Sequence, residues 1–402
     1  FAVLDRHDVG DNHPYLYATD DFGATWHNVT GNLPGDANAR VVRQDPREPN
    51  LLYAGTENGL WISYDRGGRW EPLKAGLPAV PVYDVHVQPT ANDLLLATHG
   101  RGFFVLDDVT PLQRLAAARA ANTTFFPVRE ATLWASFPSV EPGDGGAMPS
   151  NSFVGPNAPS GAVLTFYLRA KAKDRPWFEI LDARGHVVRT LRGAIPHNPD
   201  PPPAKEESAK YYVTNDRGLN RVTWDGTEAG PTRWLGTTFQ NAGPLTGAEA
   251  LPGTYTARLH VDGATYDQRF TLVDDPQSPW TPEQRAARHA FLTTLYGWYD
   301  KVDRALNAID AKLKTAPPAE RARLLALAAE LTANDRNDED SVANPDRIRE
   351  QIGGLSGQIG GALQPPFSQH EAALEALRPR VEQALHDASS LLGVAYGPAP
   401  AR

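Results

Sequence analysis

The sequence predicts a mainly β chain with a C-terminal α part, and three observations support this fold class. Residues 1–110 contain a repeat with a period of about 43 residues. Residues 151–275 alternate apolar and polar side chains between glycine turns, and apolar residues recur at helical spacing from Thr281 onward. These three patterns predict, in order, short antiparallel sheets, a β-sandwich, and a helical bundle or helical hairpins.

The amino-acid composition and the net charge indicate which kinds of binding partner and functional site the chain can have. The 402 residues include 34 glycines and 35 prolines, so we expect several domains with many turns. The net charge of −9 and the scattered basic residues argue against nucleic acid as a partner. The sequence has no cysteine and no apolar run approaching the roughly 18 residues of a membrane span. We expect no metal site and no cofactor.

Two segments of the repeat, Thr19–Trp26 and Ser63–Trp70, fit the pattern S/T-x-D-x-G-x-x-W. A period of about 40–45 residues with short alternating strands is typical of the four-stranded blades of a β-propeller. In this pattern, called an Asp box, the carboxylate accepts backbone N–H groups of a tight turn and the tryptophan packs between neighbouring blades. We assign structural Asp-box roles to Thr19, Asp21, Gly23, Trp26, Ser63, Asp65, Gly67 and Trp70.

The loops on the opposite side of the blades are the candidate ligand face. In the third blade, strands are predicted at 82–87, 94–98 and 103–106, and the loop between the last two shares a face with the blade-to-blade connections. The candidate ligand-face residues are Glu57, Asn58, His99 and Arg101. The alternative is that these are polar turns, with Arg101 bridging to a neighbouring blade.

About two and a half blades are present, whereas a propeller commonly closes with four to eight. An open fragment would expose a strand edge and an apolar face. The chain also opens with Phe1 rather than a methionine. We therefore expect a missing N-terminal propeller segment as a partner, encoded by the same gene or supplied as a separate chain.

The expected domains are 1–110 propeller blades, 111–150 helix and linker, 151–275 an immunoglobulin-like β-sandwich, and 276–402 a helical domain. Thr281 caps the first long helix, with Pro282 at its first position, and Pro317-Pro318 opens the next. A third helix at 347–363 carries five glycines, so either close helix packing requires them or the helix is soft. Polar or proline-rich loops are predicted at 138–161, 196–205 and 334–344, followed by a frayed tail at 397–402.

The motifs resemble those of large exported bacterial proteins of the sortilin-like or BNR-repeat glycosyl hydrolase type. The resemblance rests on Pro14–Tyr17 before the first Asp box, on Leu51–Gly59 before the second, and on Thr98–Asp108. Glu179–Gly185 and Gly218–Asp225 resemble the flagellar hook-cap type of immunoglobulin-like domain. The resemblance implies a periplasmic or extracellular location. In xyloglucan-cleaving members it implies two carboxylates in a groove, which would lie mostly upstream of Phe1.

Other catalytic patterns are absent from the sequence: it has no G-x-S-x-G, no P-loop and no H-E-x-x-H. His7 and His13 flank Asp8 and Asp11, which we interpret as a chance cluster. Asp107 and Asp108 are adjacent on a predicted strand and would point to opposite faces, so they form a poor acid–base couple. No catalytic residue is assigned, and whether the protein is an enzyme stays open.

Two functions remain. The first is a non-catalytic binding or scaffold portion of a propeller protein that recognises peptide or glycan through the loop face. The alternative is part of a xyloglucanase-like glycoside hydrolase whose catalytic carboxylates lie mostly upstream. We favour the first, because the sequence contains no complete catalytic site.

Overall fold

The computed structural model describes residues 1–74, 76–134, 159–193, 212–237, 246–278, 280–333, 347–360 and 365–396. The chain divides into two compact units, Phe1–Phe126 and Pro127–Arg402. Most elements are β-strands and the C-terminal part is helical, which confirms the predicted fold class. Among the described helices, none has the length and apolar character needed to cross a membrane. The loops predicted at 196–205 and 334–344, most of that at 138–161, and the tail at 397–402 lie outside the described residues.

The first unit contains three antiparallel sheets, each built from consecutive strands. The first sheet consists of β1 (Ala2–Arg6), β2 (Asp11–Ala18) and β3 (His27–Asn28). The middle sheet consists of β4 (Ala39–Gln44), β5 (Leu52–Thr56), β6 (Gly59–Ser63) and β7 (Glu71–Pro72). The third sheet consists of β8 (Val82–Gln88), β9 (Asp93–Thr98) and β10 (Phe103–Leu106), and it is followed by helix α1 (Thr110–Ala118) and strand β11 (Thr123–Phe125).

The middle sheet is buried on both faces. Leu52 and Ala54 pack with Leu16 of the first sheet, whereas Tyr53 packs with Val85 of the third sheet. Successive side chains of a strand point to opposite faces, so β5 supplies both interfaces with five buried residues in a row. The three sheets therefore form one stack with the middle sheet at its centre.

Asp107 and Asp108 do not lie on a strand, which corrects the sequence interpretation. Strand β10 ends at Leu106, and Asp108 has a left-handed backbone with φ of 56°. The Asp108 backbone N–H donates to Asp93 at 2.8 Å, and its carboxylate accepts the Thr110 N–H at 3.0 Å. Asp108 thus forms the turn that leads into helix α1.

The second unit begins with β12 (Ala131–Leu133), β13 (Ala162–Leu168), β14 (Trp177–Leu181), β15 (Val187–Leu191) and β16 (Gly218–Trp224). It continues with β17 (Thr227–Ala229), β18 (Thr246–Glu249), β19 (Gly253–Val261) and β20 (Ala264–Asp274). Strands β12, β20, β19, β14 and β15 form one sheet in that order, with β12 parallel to β20. The antiparallel pair β13–β16 packs on this sheet, as the ring contact between Phe166 and Phe178 at 5.8 Å shows. This two-layer arrangement agrees with the predicted strands, and its immunoglobulin-like character stays a prediction.

The described residues that follow form four helices, α2 (Pro282–Leu313), α3 (Pro318–Leu331), α4 (Ile348–Gly360) and α5 (Ser368–Leu392). Thr281 caps α2, as the sequence predicts, and the structure adds a reciprocal capping box between Thr281 and Gln284. The apolar residues that recur at helical spacing from Phe291 to Ile309 are buried. Ala287 fits the same spacing but is exposed, and Arg285 and Arg288 are buried at this end of the helix instead.

A row of polar side chains on α2 binds the segment 232–235. Asp300, Asp303 and Asn307 accept backbone N–H groups of that segment at 2.9–3.0 Å. Asp303 also receives the guanidinium of Arg349, at 2.6 Å from Nε, and both side chains are almost completely buried. The helices of the second unit are thereby tied both to one another and to the β part of the unit.

The glycines of α4 are not required by close packing. A methyl group on Gly353 would lie 3.6 Å from the Tyr299 ring, an ordinary contact, and one on Gly354 or Gly357 would meet open space. Each glycine therefore keeps its cost in helix propensity without a packing gain. Of the two explanations offered by the sequence, a soft helix is the one that agrees with these contacts.

We predict that Gly357→Ala raises the free energy of unfolding by about 1 kcal/mol, because alanine removes backbone entropy from the unfolded chain and meets no neighbour. Urea denaturation followed by circular dichroism measures this change. The matched control is Gly31→Ala, which should destabilise the protein, since a methyl group there would lie 2.7 Å from the Gly67 carbonyl oxygen. An unchanged or lowered stability of Gly357→Ala would contradict the prediction.

Candidate ligand-binding face

The two Asp-box turns share one hydrogen-bond pattern. In the first, Asp21 accepts the Thr25 backbone N–H at 2.9 Å, and the Thr19 hydroxyl accepts the Gly23 N–H at 2.8 Å. In the second, Asp65 accepts the Arg69 N–H and Ser63 accepts the Gly67 N–H, both at 2.8 Å. Both glycines have left-handed backbones, with φ near 92° and 95°. The described contacts of these side chains stabilise the turns.

The two tryptophans differ in their surroundings. Trp70 is 1% exposed and packs against the first sheet, as expected. Trp26 is 47% exposed and donates its indole N–H to the carbonyl of Gly23 in its own turn. Trp26 therefore does not lie between two of the described sheets.

On the opposite side of the stack, Glu57 is held by an arginine that the sequence analysis did not single out. Arg40 binds Glu57 through Nε and a terminal nitrogen, and its other terminal nitrogen binds Asp5. Asn38 also donates to Asp5, at 2.6 Å. Arg40 lies mostly buried between the two carboxylates, with 14% of its side chain exposed.

His99 joins the same group through Tyr83. The Tyr83 and His99 rings stack with centroids 5.5 Å apart, and the Arg40 guanidinium carbon lies 4.9 Å from the Tyr83 centroid. Tyr83 is 44% exposed, so the group reaches the surface. We call Asp5, Arg40, Glu57, Tyr83 and His99 the Arg40 cluster.

The other two predicted face residues lie outside this cluster. Asn58 is exposed in the β5–β6 turn, where its backbone N–H donates to the Thr56 hydroxyl at 3.2 Å. Arg101 is exposed in the β9–β10 turn, and within the described ranges it forms no ion pair with a neighbouring sheet. The structure thus brings Glu57 and His99 together and leaves Asn58 and Arg101 at the tips of their turns.

Three members of the cluster lie at irregularities in strand pairing. The register shifts at Asp5 in the first sheet, at Arg40 in the middle sheet and at Tyr83 in the third. A bulge gives one strand an extra residue, which redirects its side chain, and bulges are common next to functional sites. Arg40 and Tyr83 are the extra residues of β4 and β8, whereas in the first sheet the extra residues lie on β2, between Asp11 and Tyr15, opposite Asp5 of β1.

The pKa values of the Arg40 cluster favour a role in ligand binding over a role in acid–base catalysis. Burial acts to raise the pKa of Asp5, but hydrogen bonds from His7 and Asn38 and the charge of Arg40 outweigh it and hold the pKa well below its usual value. Burial acts to lower the pKa of Arg40, and its contacts with Glu57 and Asp5 outweigh it and raise the pKa. A glycosidase acid needs a raised pKa. Asp5 stays ionised and is unsuited to that role.

No group of three or more potential metal-ligating side chains occurs among the residues that the structure describes. His7 contacts Asp5 at 2.7 Å and Asp8 at 3.0 Å, and His13 contacts Asp11 at 3.2 Å. These are pairwise contacts on the surface. They order the β1–β2 connection beside the Arg40 cluster.

Comparisons with known proteins give one partial relative. No protein-family model matches the chain. A xyloglucanase from Paenibacillus sp is 31% identical over 90 residues, which is 20% of this chain, and the chain spans about 8% of that relative's length. Among solved structures, the chain is similar to the extracellular domain of a putative hybrid two-component system from B. thetaiotaomicron, at 11% sequence identity. The alignment covers 70% of this chain and 31% of the chain in that structure. Its TM-score of 0.20 is too low to support an argument about fold.

The Asp-box carboxylate makes a testable contribution to stability. Hydrogen bonds from the Thr25 hydroxyl, the Thr25 backbone and the Thr19 hydroxyl lower the pKa of Asp21 from 3.8 to about 2. A carboxyl with a lowered folded-state pKa stabilises the protein above its unfolded pKa, and this contribution is lost as the pH falls through the folded value. We predict that Asp21→Asn is less stable than the wild type at pH 7 and that the difference shrinks between about pH 4 and pH 2.

Denaturant titrations at several pH values measure this difference. Asp36→Asn is the control, because it changes an exposed carboxylate outside the two Asp-box turns. A stability difference for Asp21→Asn that is independent of pH would contradict the prediction.

Proposed function

We propose that the first unit is part of an exported β-propeller protein that binds a polysaccharide through the face containing the Arg40 cluster. The single observation that carries this proposal is the meeting of Asp5, Arg40 and Tyr83 at pairing irregularities of three successive sheets. Such irregularities redirect side chains and are common next to functional sites, and here they recur at one end of the stack. The second unit then serves as a scaffold.

The chemistry of the cluster suits a sugar chain. The Tyr83–His99 pair offers an exposed aromatic surface against which the apolar face of a sugar ring can pack. The carboxylates of Asp5 and Glu57 and the guanidinium of Arg40 offer fixed acceptors and donors for hydroxyl groups. The similarity to a xyloglucanase supports a β-glucan such as xyloglucan as the ligand class and supports an exported location.

Binding of soluble xyloglucan to the whole chain tests this proposal by isothermal titration calorimetry. We expect binding, and we expect Tyr83→Ala and His99→Ala each to weaken it by about tenfold through loss of the aromatic surface. Phe367→Ala is the matched control, because it removes an exposed aromatic side chain of the second unit and should leave the affinity unchanged. Absence of binding, or equal affinity of all three variants, would count against the proposal.

A second candidate function is part of a glycoside hydrolase, which the 31% identity to a xyloglucanase favours. In this case, carboxylates of the chain would take part in bond cleavage. The lowered pKa of Asp5 and the engagement of Glu57 by Arg40 argue that this cluster is not the acid–base pair.

Release of reducing ends from xyloglucan separates the two functions. We expect no release by the chain and no difference in Glu57→Gln or Asp107→Asn, since binding alone breaks no bond. Release by the wild-type chain that either substitution abolishes would establish the hydrolase function and refute the non-catalytic one. Heat-denatured chain provides the blank.

A further inference from the structure

The two Asp-box tryptophans have the same local turn but different surroundings. The Trp70 indole N–H donates to the carbonyl of Val29, in the loop that follows the first sheet, at 3.0 Å. The corresponding N–H of Trp26 donates to Gly23 of its own turn at 3.1 Å. The Trp70 side chain is 1% exposed and the Trp26 side chain 47%. One turn is thus covered by a neighbouring loop, and the other presents the same chemistry at the surface.

The loop that covers Trp70 recognises it through a glycine and an asparagine. Asn32 donates to the Trp70 carbonyl at 3.1 Å and accepts the Trp70 backbone N–H at 2.6 Å. Gly31 has a left-handed φ of 53°, and a methyl group there would lie 2.7 Å from the carbonyl oxygen of Gly67. A loop that covers an Asp-box tryptophan in this way therefore requires a Gly-Asn pair at the position of Gly31 and Asn32.

The wider faces of the two sheets also correspond. Ala2 pairs with Tyr17 in the first sheet, as Ala54 pairs with Trp61 in the middle sheet. Tyr17 and Trp61 each lie two residues before the start of an Asp box. The corresponding positions are Ala2, Tyr17 and Trp26 in the first sheet and Ala54, Trp61 and Trp70 in the middle sheet. The middle-sheet residues pack against the first sheet. In the first sheet, the equivalent face includes the exposed Trp26 and borders the fully exposed Phe22.

We infer that the face of the first sheet formed by Ala2, Tyr17 and Trp26 binds one further β-sheet of the same repeat, whose loop carries a Gly-Asn pair that covers Trp26. The contact between the first and middle sheets is the template for this interface. A second copy of the chain does not offer the required loop, because its own Gly31-Asn32 pair already binds Trp70. The interface is independent of ligand binding at the Arg40 cluster, so failure of one is distinguishable from failure of the other.

The first test uses the chain with single substitutions. Trp26→Lys should change the melting temperature by no more than about 2 °C, because the side chain is 47% exposed and no loop of another described sheet covers it. Trp70→Lys should lower it by about 10 °C or more, because the side chain is buried between two sheets. An equal loss in both variants would show that Trp26 is already packed within the chain, and the inference would be wrong.

The second test adds the proposed partner. A copy of residues 1–53 placed directly before Ala2 continues the repeat, since Tyr53 of the copy then precedes Ala2 as it normally precedes Ala54. The added copy supplies a loop with Gly31 and Asn32. Acrylamide quenching of Trp26, obtained by difference from Trp26→Phe, should fall several-fold in this extended protein.

The control for the extended protein is Asn32→Ala in the added copy alone, which should restore quenching of Trp26. If Trp26 stays as accessible in the folded extended protein as in the original chain, the inference is refuted. Sedimentation of the original chain adds a further check. A dimer that Trp26→Lys abolishes would assign this face to self-association and overturn the inference. An equal loss of stability in the two variants of the first test refutes the inference even where the extension does not fold.

Discussion

Burial of the middle sheet on both faces is the constraint on which the first unit depends. Strand β5 has no polar face, so it must be covered from both sides, and the first and third sheets do this with their own apolar rows. The turns at the two ends of the stack are held in place by that packing. Asp-box turns lie at one end and the Arg40 cluster lies at the other, where loops of three sheets converge.

The second unit depends on a different interaction. Asp300, Asp303 and Asn307 of α2 bind backbone groups of residues 232–235, which would otherwise lose hydrogen bonds on burial. The Asp303–Arg349 pair joins α2 to α4 at the same place. Removing either partner would leave the other buried charge without its counter-ion, which is strongly destabilising in buried pairs.

The candidate site shows where reasoning from the sequence reaches its limit. The repeat placed Glu57 and His99 on one face, and they do meet, through Arg40 and Tyr83. The sequence did not predict that Arg40, Tyr83 and Asp5 belong to this site. The alternation of side chains along a strand assigns each one to a face only where the strand pairing is regular. An extra residue in one strand changes that assignment, and no local motif in this sequence marks these irregularities.

Local signals in the sequence determined the element types, the capping box at Thr281 and the two Asp-box turns, because each depends on residues within one turn or one strand. Exposure depends on neighbours instead. Trp26 and Trp70 share one motif, yet only the tertiary structure separates them, since the loop containing Gly31 and Asn32 covers one and not the other. The exposure of Ala287 likewise depends on which face of α2 the rest of the unit covers. The role of Asp108 in a turn depends on where strand β10 ends and on its hydrogen bond with Asp93.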